Sequence, residues 1–434
     1  MTGCRIAKRK TVGRVVVAMA VVLGAWKICA AQGMYYKEIK KDNNIYVFNT
    51  PEGADRFEKS GEIPGSISKA GIGPNGETVI AENYRALELY YFKHDISEPV
   101  PQPPPRGRIS GYAFGDYYYV SEHHPTDPDW EGQHGFWLRR VYFTYDYDLS
   151  SKLTTRFRLE MNSPGNLEST TITPYVKDAY IRWTYLNRQQ IYLGISPTAT
   201  FNWIEGFYGL RHIEKTPVDL YRLDSSRDFG VTVEGPVSNS SAYYVGQYGN
   251  DSSQRAEIDI FKAYRFEGRF VRNPGIAVEG FYGFYHRAEG KDQAIYQLFG
   301  GVQTPNIRAG LHYVRQSIES GTSAPDTRIN VTSTWGVFEV IPKKATVFGR
   351  VDWVNGNNNM TTGTGVPGMD GVDYLHISDQ HDFNFILGGM EWYFHPNFRL
   401  GPNVEVVNYG HGPLVNGAPI KNDVFWRITF YWTF

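Results

Sequence analysis

The sequence has little of what common enzyme classes require. Its 434 residues include only two cysteines, Cys4 and Cys29, both near the amino terminus. It contains no Gly-x-Ser-x-Gly motif, no His-Glu-x-x-His motif and no Walker-type phosphate loop. The formal net charge is only -1, so charge gives no indication of a nucleic-acid partner. We therefore expect a protein that is not an enzyme, needs no cofactor and does not bind nucleic acid.

Long apolar runs are also missing. After the first residues, no segment approaches the roughly 20 apolar residues that a membrane-spanning helix needs. The start has basic residues, then an apolar segment over residues 15–26 and small residues after it, which predicts a signal peptide over residues 1–31. A lipoprotein attachment at Cys29 is less favoured, because Trp26 and Lys27 stand where small and apolar residues are expected. Both cysteines would leave with the signal peptide, so the mature chain would hold no disulfide.

Aromatic residues are abundant: they make up 15% of the chain, and with 45 glycines they favour β structure. The pattern is clearest in residues 423–434, where alternate positions place apolar and polar side chains on opposite faces of a strand. An uncharged apolar face that ends in an aromatic residue is typical of the closing strand of a bacterial outer-membrane barrel. An edge strand of a soluble β protein is the alternative. The apolar face carries Val424, Trp426, Ile428, Phe430, Trp432 and Phe434.

Sixteen strand-like segments follow one another from residue 109 onward. Tight turns alternate with long connections, such as residues 121–135, 162–175, 196–227 and 355–382. Outer-membrane barrels show this rhythm, with short turns at one rim and long loops at the other. We therefore predict an all-β protein, a transmembrane antiparallel β-barrel of about 16 strands in the bacterial outer membrane.

The residues before the barrel have a different pattern, in which strand-like and helix-like segments alternate. Two short strand-like segments, 45–48 and 78–81, are each followed by a helix-like segment. They predict a small α+β module in the periplasm, with a partly ordered spacer as the alternative. A proline-rich run follows, whose fixed backbone angles favour a semi-rigid linker. The predicted parts are a signal peptide (1–31), the periplasmic module or spacer (32–98), the linker (99–107) and the barrel domain (108–434).

Alternation along the strands also predicts which charged side chains face the lumen. Ten arginines and eight acidic residues fall inward, a slight positive excess that favours anions weakly. Pairing of opposite charges along the lumen wall is the alternative to anion attraction. The wall arginines that we expect to line the pore are Arg140, Arg156, Arg158, Arg182, Arg265 and Arg350.

Four strand segments carry a family likeness: Trp137-Leu-Arg-Arg-Val-Tyr-Phe-Thr-Tyr145, Leu153 to Met161, Val176 to Tyr180 and Ile191 to Gly194. They resemble the phosphate-selective porin O and P family. The likeness is concentrated between residues 136 and 235. This resemblance implies a sixteen-stranded outer-membrane porin that is commonly trimeric and passes anions such as phosphate.

The resemblance also implies a role for the connection over residues 196–227, because the loop at this position in sixteen-stranded porins folds into the barrel and narrows the pore. Its middle mixes apolar with charged residues, and apolar side chains of a long loop favour burial. We expect Arg211, Lys215 and Arg222 of this loop to set selectivity together with the wall arginines. A loop that packs over the mouth of the barrel is the alternative.

One short run has metal-binding side chains. Glu122, His123 and His124 are consecutive, but they stand beside Pro125 in a predicted loop, where solvent-exposed polar residues are the usual outcome. We therefore predict no metal site.

The predicted function is passive diffusion of small hydrophilic solutes, with a mild preference for anions such as phosphate. The expected partners are outer-membrane lipids, those solutes and further copies of the chain in a homotrimer. Two alternatives act by binding and not by diffusion of solutes. One is a barrel-anchored surface binding or adhesion protein that acts through its long loops, and the other is a soluble secreted β protein that binds glycans.

Overall fold

The structure is a computed structural model. It describes residues 35–97 except 64, and residues 107–434 except 126–128, 163–171, 186–187, 239, 273–274, 288–290, 321–325, 357–370, 373–374, 377, 379–380, 411, 413 and 416. The chain divides into two compact units after Pro105. The predicted signal peptide, and the predicted linker apart from Gly107, lie outside the described residues.

The described residues of the first unit form six elements: β1 (Lys37–Lys41), β2 (Asn44–Phe48), α1 (Pro51–Ser60), β3 (Ile67–Lys69), β4 (Thr78–Ala81) and α2 (Tyr84–Lys93). The four strands form one sheet in the order β1-β2-β4-β3. Strands β2 and β4 are parallel, and the outer strands pair antiparallel to them. The predicted α+β fold of this unit is confirmed, although the sequence pattern missed the outer strands β1 and β3.

Capping and a small core explain why this unit folds. The Thr50 hydroxyl accepts a hydrogen bond from the backbone N–H of Gly53 at 3.1 Å, which satisfies a donor at the start of α1. The same hydroxyl donates to the Glu82 carboxylate at 2.5 Å, so α1 is tied to the end of β4. Ile45 of β2 and Leu87 of α2 are fully buried. The unit is a folded module and not a spacer.

The second unit is a closed barrel of sixteen strands. The first eight are β5 (Gly107–Glu122), β6 (His134–Asp148), β7 (Leu153–Asn162), β8 (Thr173–Thr184), β9 (Gln190–Pro197), β10 (Arg227–Pro236), β11 (Ala242–Gly249) and β12 (Lys262–Arg272). They are followed by β13 (Ile276–His286), β14 (Gln293–Gln303), β15 (Ile307–Ile318), β16 (Thr327–Ile341) and β17 (Ala345–Gly356). A two-stranded hairpin, β18 (Gly371–Val372) and β19 (Leu375–His376), precedes β20 (Phe383–His395), β21 (Phe398–Tyr409) and β22 (Asp423–Thr433).

The barrel closes where its first strand meets its last, and we call the β5–β22 pairing the closing seam. The two strands are antiparallel, with Thr433 opposite Tyr112. At the end of the seam Gly111 and Phe434 exchange two backbone hydrogen bonds of 2.9 Å. No Cβ fits at Gly111, since the Phe434 ring lies 2.2 Å from where it would stand. The predicted strand number and the prediction of a closing last strand are both confirmed.

The strands present apolar side chains outward and polar ones inward. On β14, Leu298 is 64% exposed while its neighbour Gln297 is 1% exposed. On β22, Trp426 and Ile428 are about half exposed while Arg427 between them is buried. Soluble proteins place apolar side chains inside, whereas these strands place them on the outer surface. An apolar outer surface is favourable in contact with lipid. Among the described residues, no helix has the length and apolar character to cross a membrane.

The connection between β9 and β10, residues 198–226, lies inside the barrel, and we call it the inner loop. It contains two short helices, α3 (Asn202–Tyr208) and α4 (Pro217–Leu220). The Tyr208 ring packs against Trp335, near the middle of β16, at a centroid distance of 5.1 Å. Apolar side chains of the inner loop and of the strands from β11 to β21 form one buried cluster. The structure therefore contradicts a loop that only covers the mouth.

Candidate functional site

A β-bulge turns an additional cation into the lumen. The β7–β8 pairing skips Lys177, because consecutive β7 residues pair with Asp178 and Val176. Strict alternation would point Lys177 to the outer face, but a bulge re-aims the extra side chain. Lys177 is buried, and its Nζ lies 2.9 Å from Glu160 Oε2. Alternation carries no signal of a bulge, so this lumen cation was not predicted from the sequence.

A second bulge acts in the same way on β6. The β5–β6 pairing skips Arg139, because consecutive β5 residues pair with Arg140 and Leu138. Arg139 and Arg140 are therefore both buried on the lumen side. Arg139 Nε lies 2.6 Å from Asp116 Oδ2, and its Nη1 donates to the Ile213 carbonyl of the inner loop at 3.0 Å. Two adjacent arginines within one strand were the available signal, because alternation alone turns only one of them inward.

We call the lumen face of β6, β7 and β8 the basic wall. It places four of the predicted arginines on neighbouring strands: Arg140 on β6, Arg156 and Arg158 on β7, and Arg182 on β8. Arg156 and Arg158 lie two positions apart, about 7 Å along the strand. The three arginines on β7 and β8 keep part of their side chains exposed, whereas Arg140 is nearly buried.

Carboxylates on the same wall orient these cations. Arg156 donates from Nε to Asp146 Oδ1 at 2.7 Å and from Nη2 to Oδ2 at 2.9 Å. Arg158 Nη1 lies 3.5 Å from Asp178 Oδ2, and Arg227 Nε donates to the same carboxylate. The two-point contact fixes the plane of the Arg156 guanidinium group. The carboxylates also reduce the net positive charge that the wall presents.

The inner loop carries three more of the predicted cations. Arg211 lies between two acidic residues of the same loop, with Nε 3.3 Å from Glu205 Oε2 and Nη2 3.1 Å from Asp219 Oδ2. Lys215 is half-buried and Arg222 is exposed. The loop therefore contributes charge of both signs close together.

The basic wall, the inner loop and the connection after β11 line an open polar cavity of about 280 Å³. Tyr175 and the side chains of Ser225 and Ser226 add neutral hydrogen-bonding groups to its lining. Four of its charged residues are cationic and two are acidic, so the lining has an excess of positive charge. The charged residues are Arg140, Lys177, Lys215, Arg222, Asp219 and Asp224.

Two predicted wall arginines lie elsewhere, on β12 and β17 beneath the inner loop. The side chains of Arg265 and Arg350 are 0% and 1% exposed. Arg265 binds Asp224 of the inner loop, and Arg350 pairs with Asp352 and donates to the Lys215 carbonyl. The prediction that these two arginines line the pore is therefore wrong. They anchor the inner loop, and sequence pattern alone does not reveal which part of the wall a loop covers.

The inner loop is also held by neutral wall side chains. Gln293 and Gln316 both donate to the Leu223 carbonyl, at 3.2 and 2.7 Å. The Tyr221 hydroxyl donates to Asp352 at 2.7 Å. With the buried arginines, these contacts hold the loop in one position and leave its polar side facing the basic wall.

No known family profile and no curated protein sequence matches the chain. Solved structures of outer-membrane proteins do match its fold. The trimer form of in-vitro folded OmpT from Vibrio cholerae has a TM-score of 0.51 at 10% identity, covering 76% of this chain and 100% of that one. The anion-selective porin from Comamonas acidovorans has a TM-score of 0.53 at 10% identity, with coverages of 76% and 100%.

Salmonella typhi OmpF, solved in complex with daunomycin, has a TM-score of 0.52 at 10% identity and covers 76% of this chain and 97% of that one. At such identities the matches show a shared porin barrel fold. The resemblance to the phosphate-selective porin O and P family stays a prediction.

Proposed function

We propose that this protein is an outer-membrane porin through which small hydrophilic solutes diffuse passively, with a mild preference for anions such as phosphate. The observation that carries the proposal is the cavity between the basic wall and the inner loop, whose lining has four cationic and two acidic side chains. A loop that narrows a barrel lumen sets the size of the solutes that pass, and the charges at that level set their sign.

The preference for anions rests on two physical effects. Charged groups in a narrow passage with low-dielectric walls raise the local concentration of ions of opposite sign. Guanidinium groups also offer a planar pair of donors that matches phosphate or carboxylate oxygens. The preference is mild, because Arg156, Arg158 and Arg211 already pair with carboxylates.

The proposal extends to location and assembly. The apolar outer face suits outer-membrane lipids, and an even strand number returns both barrel ends to one side of the membrane. The amino-terminal module then lies in the periplasm. A homotrimer is proposed by analogy with the trimer form of the OmpT structure, which shares the fold.

The test is the conductance of the purified, folded full chain in a planar bilayer under a potassium chloride gradient. Discrete conductance steps, a zero-current potential that favours anions and a reduced current after addition of phosphate are expected. Steps without ion preference would overturn the anion preference. If a barrel that shows heat-modifiable gel migration gives no conductance steps, the pore proposal is overturned and a surface-binding role is favoured.

A double substitution, Lys215→Gln with Arg222→Gln, tests the site itself. Because both side chains line the cavity, we expect the zero-current potential to move toward cation selectivity while the conductance steps persist. Lys343→Gln with Lys344→Gln is the matched control, since it also removes two positive charges, from an exposed turn that does not line the cavity. Equal shifts in the two variants would place selectivity elsewhere.

A further inference from the structure

At the long-loop end of the closing seam, three potential metal ligands come together. His123 and His124 directly follow β5, and Asp423 begins β22. Their exposed fractions are 2%, 6% and 0%. The expectation that the two histidines lie in a solvent-exposed loop is therefore wrong. The cluster could not be predicted from sequence spacing, because the carboxylate comes 299 positions after His124.

The distances suit a single small ion. One ligand atom from each of the three residues lies within 4.8 Å of the other two. His124 Nδ1 lies 2.9 Å from Asp423 Oδ1 and 3.1 Å from Oδ2. Two ligand atoms bound at 2.0–2.1 Å to a tetrahedral ion are about 3.3 Å apart. The pair is thus close to coordination spacing, and His123 offers a ligand atom within 4.8 Å of both partners.

Neighbouring groups orient the carboxylate as the outer shell of a metal site does. The Tyr409 hydroxyl donates to Asp423 Oδ2. The backbone N–H of His124 donates to Oδ1 at 2.7 Å. Tyr409 is itself packed edge-on against His381, with ring centroids 5.7 Å apart. Partners of this kind fix ligand orientation and commonly raise metal affinity 10–100-fold.

We propose that His123, His124 and Asp423 bind one divalent transition-metal ion of the zinc class, with water completing the coordination. Two imidazoles and one carboxylate are ligands that zinc accepts, whereas calcium and magnesium prefer all-oxygen sites. Binding displaces any proton that His124 Nδ1 shares with Asp423. The ion joins the first barrel strand to the last, so its role is to stabilise the closing seam.

This inference does not depend on conduction. The direct test uses tag-free, full-length folded protein in detergent, stripped with a chelator and then titrated with zinc chloride against a chromophoric competitor. The expected result is one zinc ion per chain and a rise in the temperature at which the folded gel band is lost. The absence of stoichiometric zinc binding by the wild-type barrel would overturn the proposal.

Variants separate this site from general histidine binding. His123→Ala and Asp423→Asn should each lose the zinc binding and the thermal shift, and Tyr409→Phe should weaken binding about 10–100-fold. His286→Ala is the matched control, because His286 also faces a carboxylate, with Nδ1 3.1 Å from Asp292 Oδ1. It should bind zinc as the wild type does.

His123 is the decisive position if Asp423→Asn fails to fold. A folded His123→Ala barrel that binds zinc with wild-type affinity would overturn the site, as would a loss in His286→Ala equal to that in His123→Ala.

Discussion

The guanidinium of Arg265 binds the carboxylate of Asp224 through two hydrogen bonds, Nε to Oδ2 and Nη2 to Oδ1, each 2.9 Å long. Neither side chain is more than 1% exposed. Tyr285 also donates to Asp224 at 2.6 Å, and Arg265 Nη1 donates to Asp228 at 2.7 Å. The inner loop is therefore joined to β12 by charges that water does not screen.

Arg265→Gln should destabilise the packing of the inner loop against β12. Removing one partner of a buried ion pair leaves the other uncompensated, which costs about 3–5 kcal/mol. We expect faster protease cleavage within the inner loop and larger, noisier conductance steps. Arg287→Gln is the control, because its pair with Asp251 is partly exposed and contributes about 1 kcal/mol or less. Similar cleavage of the two variants would contradict this assignment.

Gly209→Ala should also loosen the inner loop, because Gly209 ends α3 with a φ of 67°. A side chain in that conformation costs about 1–2 kcal/mol, and the added Cβ would stand 2.6 Å from Arg308 Nη2. Gly206→Ala, in the same helix, has open space around its Cβ position, and alanine there favours the helix. The melting temperature of the barrel should fall for Gly209→Ala and not for Gly206→Ala. Equal melting temperatures would argue against strain at Gly209.

Lys177→Gln should reduce anion preference without closing the pore. The side chain lines the cavity and pairs with Glu160, so its loss removes one of the four cavity cations and leaves Glu160 with Arg140. The zero-current potential should move toward cation selectivity, and Lys177→Arg should restore it. An unchanged zero-current potential in Lys177→Gln would mean that the charge of Lys177 does not affect the passing ions.

Leu298→Arg tests the outer face. Leu298 points away from the lumen near the middle of β14, and an arginine facing lipid at mid-depth costs about 2–4 kcal/mol in such barrels. Folding yield into lipid vesicles and urea unfolding should both show the loss. Asn306→Arg, in an exposed turn, should fold as the wild type does. A tolerated arginine at position 298 would place that face in water or protein.

Alternation identified the strands because each face of the barrel meets one environment over its whole length. It placed Arg156 and Arg158 on the face where they contact Asp146 and Asp178. It failed at Lys177 and Arg139, since a bulge shifts the alternation by one residue and leaves no mark in hydrophobicity.

The remaining differences are contacts between distant parts of the chain. Arg265 and Arg350 were assigned to the correct face, yet the inner loop covers them, and the wall strands do not encode where that loop packs. His124 was expected in solvent because its partner Asp423 belongs to a strand at the other end of the barrel sequence.

The closing seam also sets the order of events in folding. Contacts such as that between His124 and Asp423 span 299 positions. The chain loses the entropy of closing this loop before the contacts stabilise it, so they form late. Until then β5 and β21 present open edges to other chains. The eleven residues of β22 arrive last and remove both edges at once. A chain that lacks them is an aggregation hazard even though fifteen of its sixteen barrel strands are present.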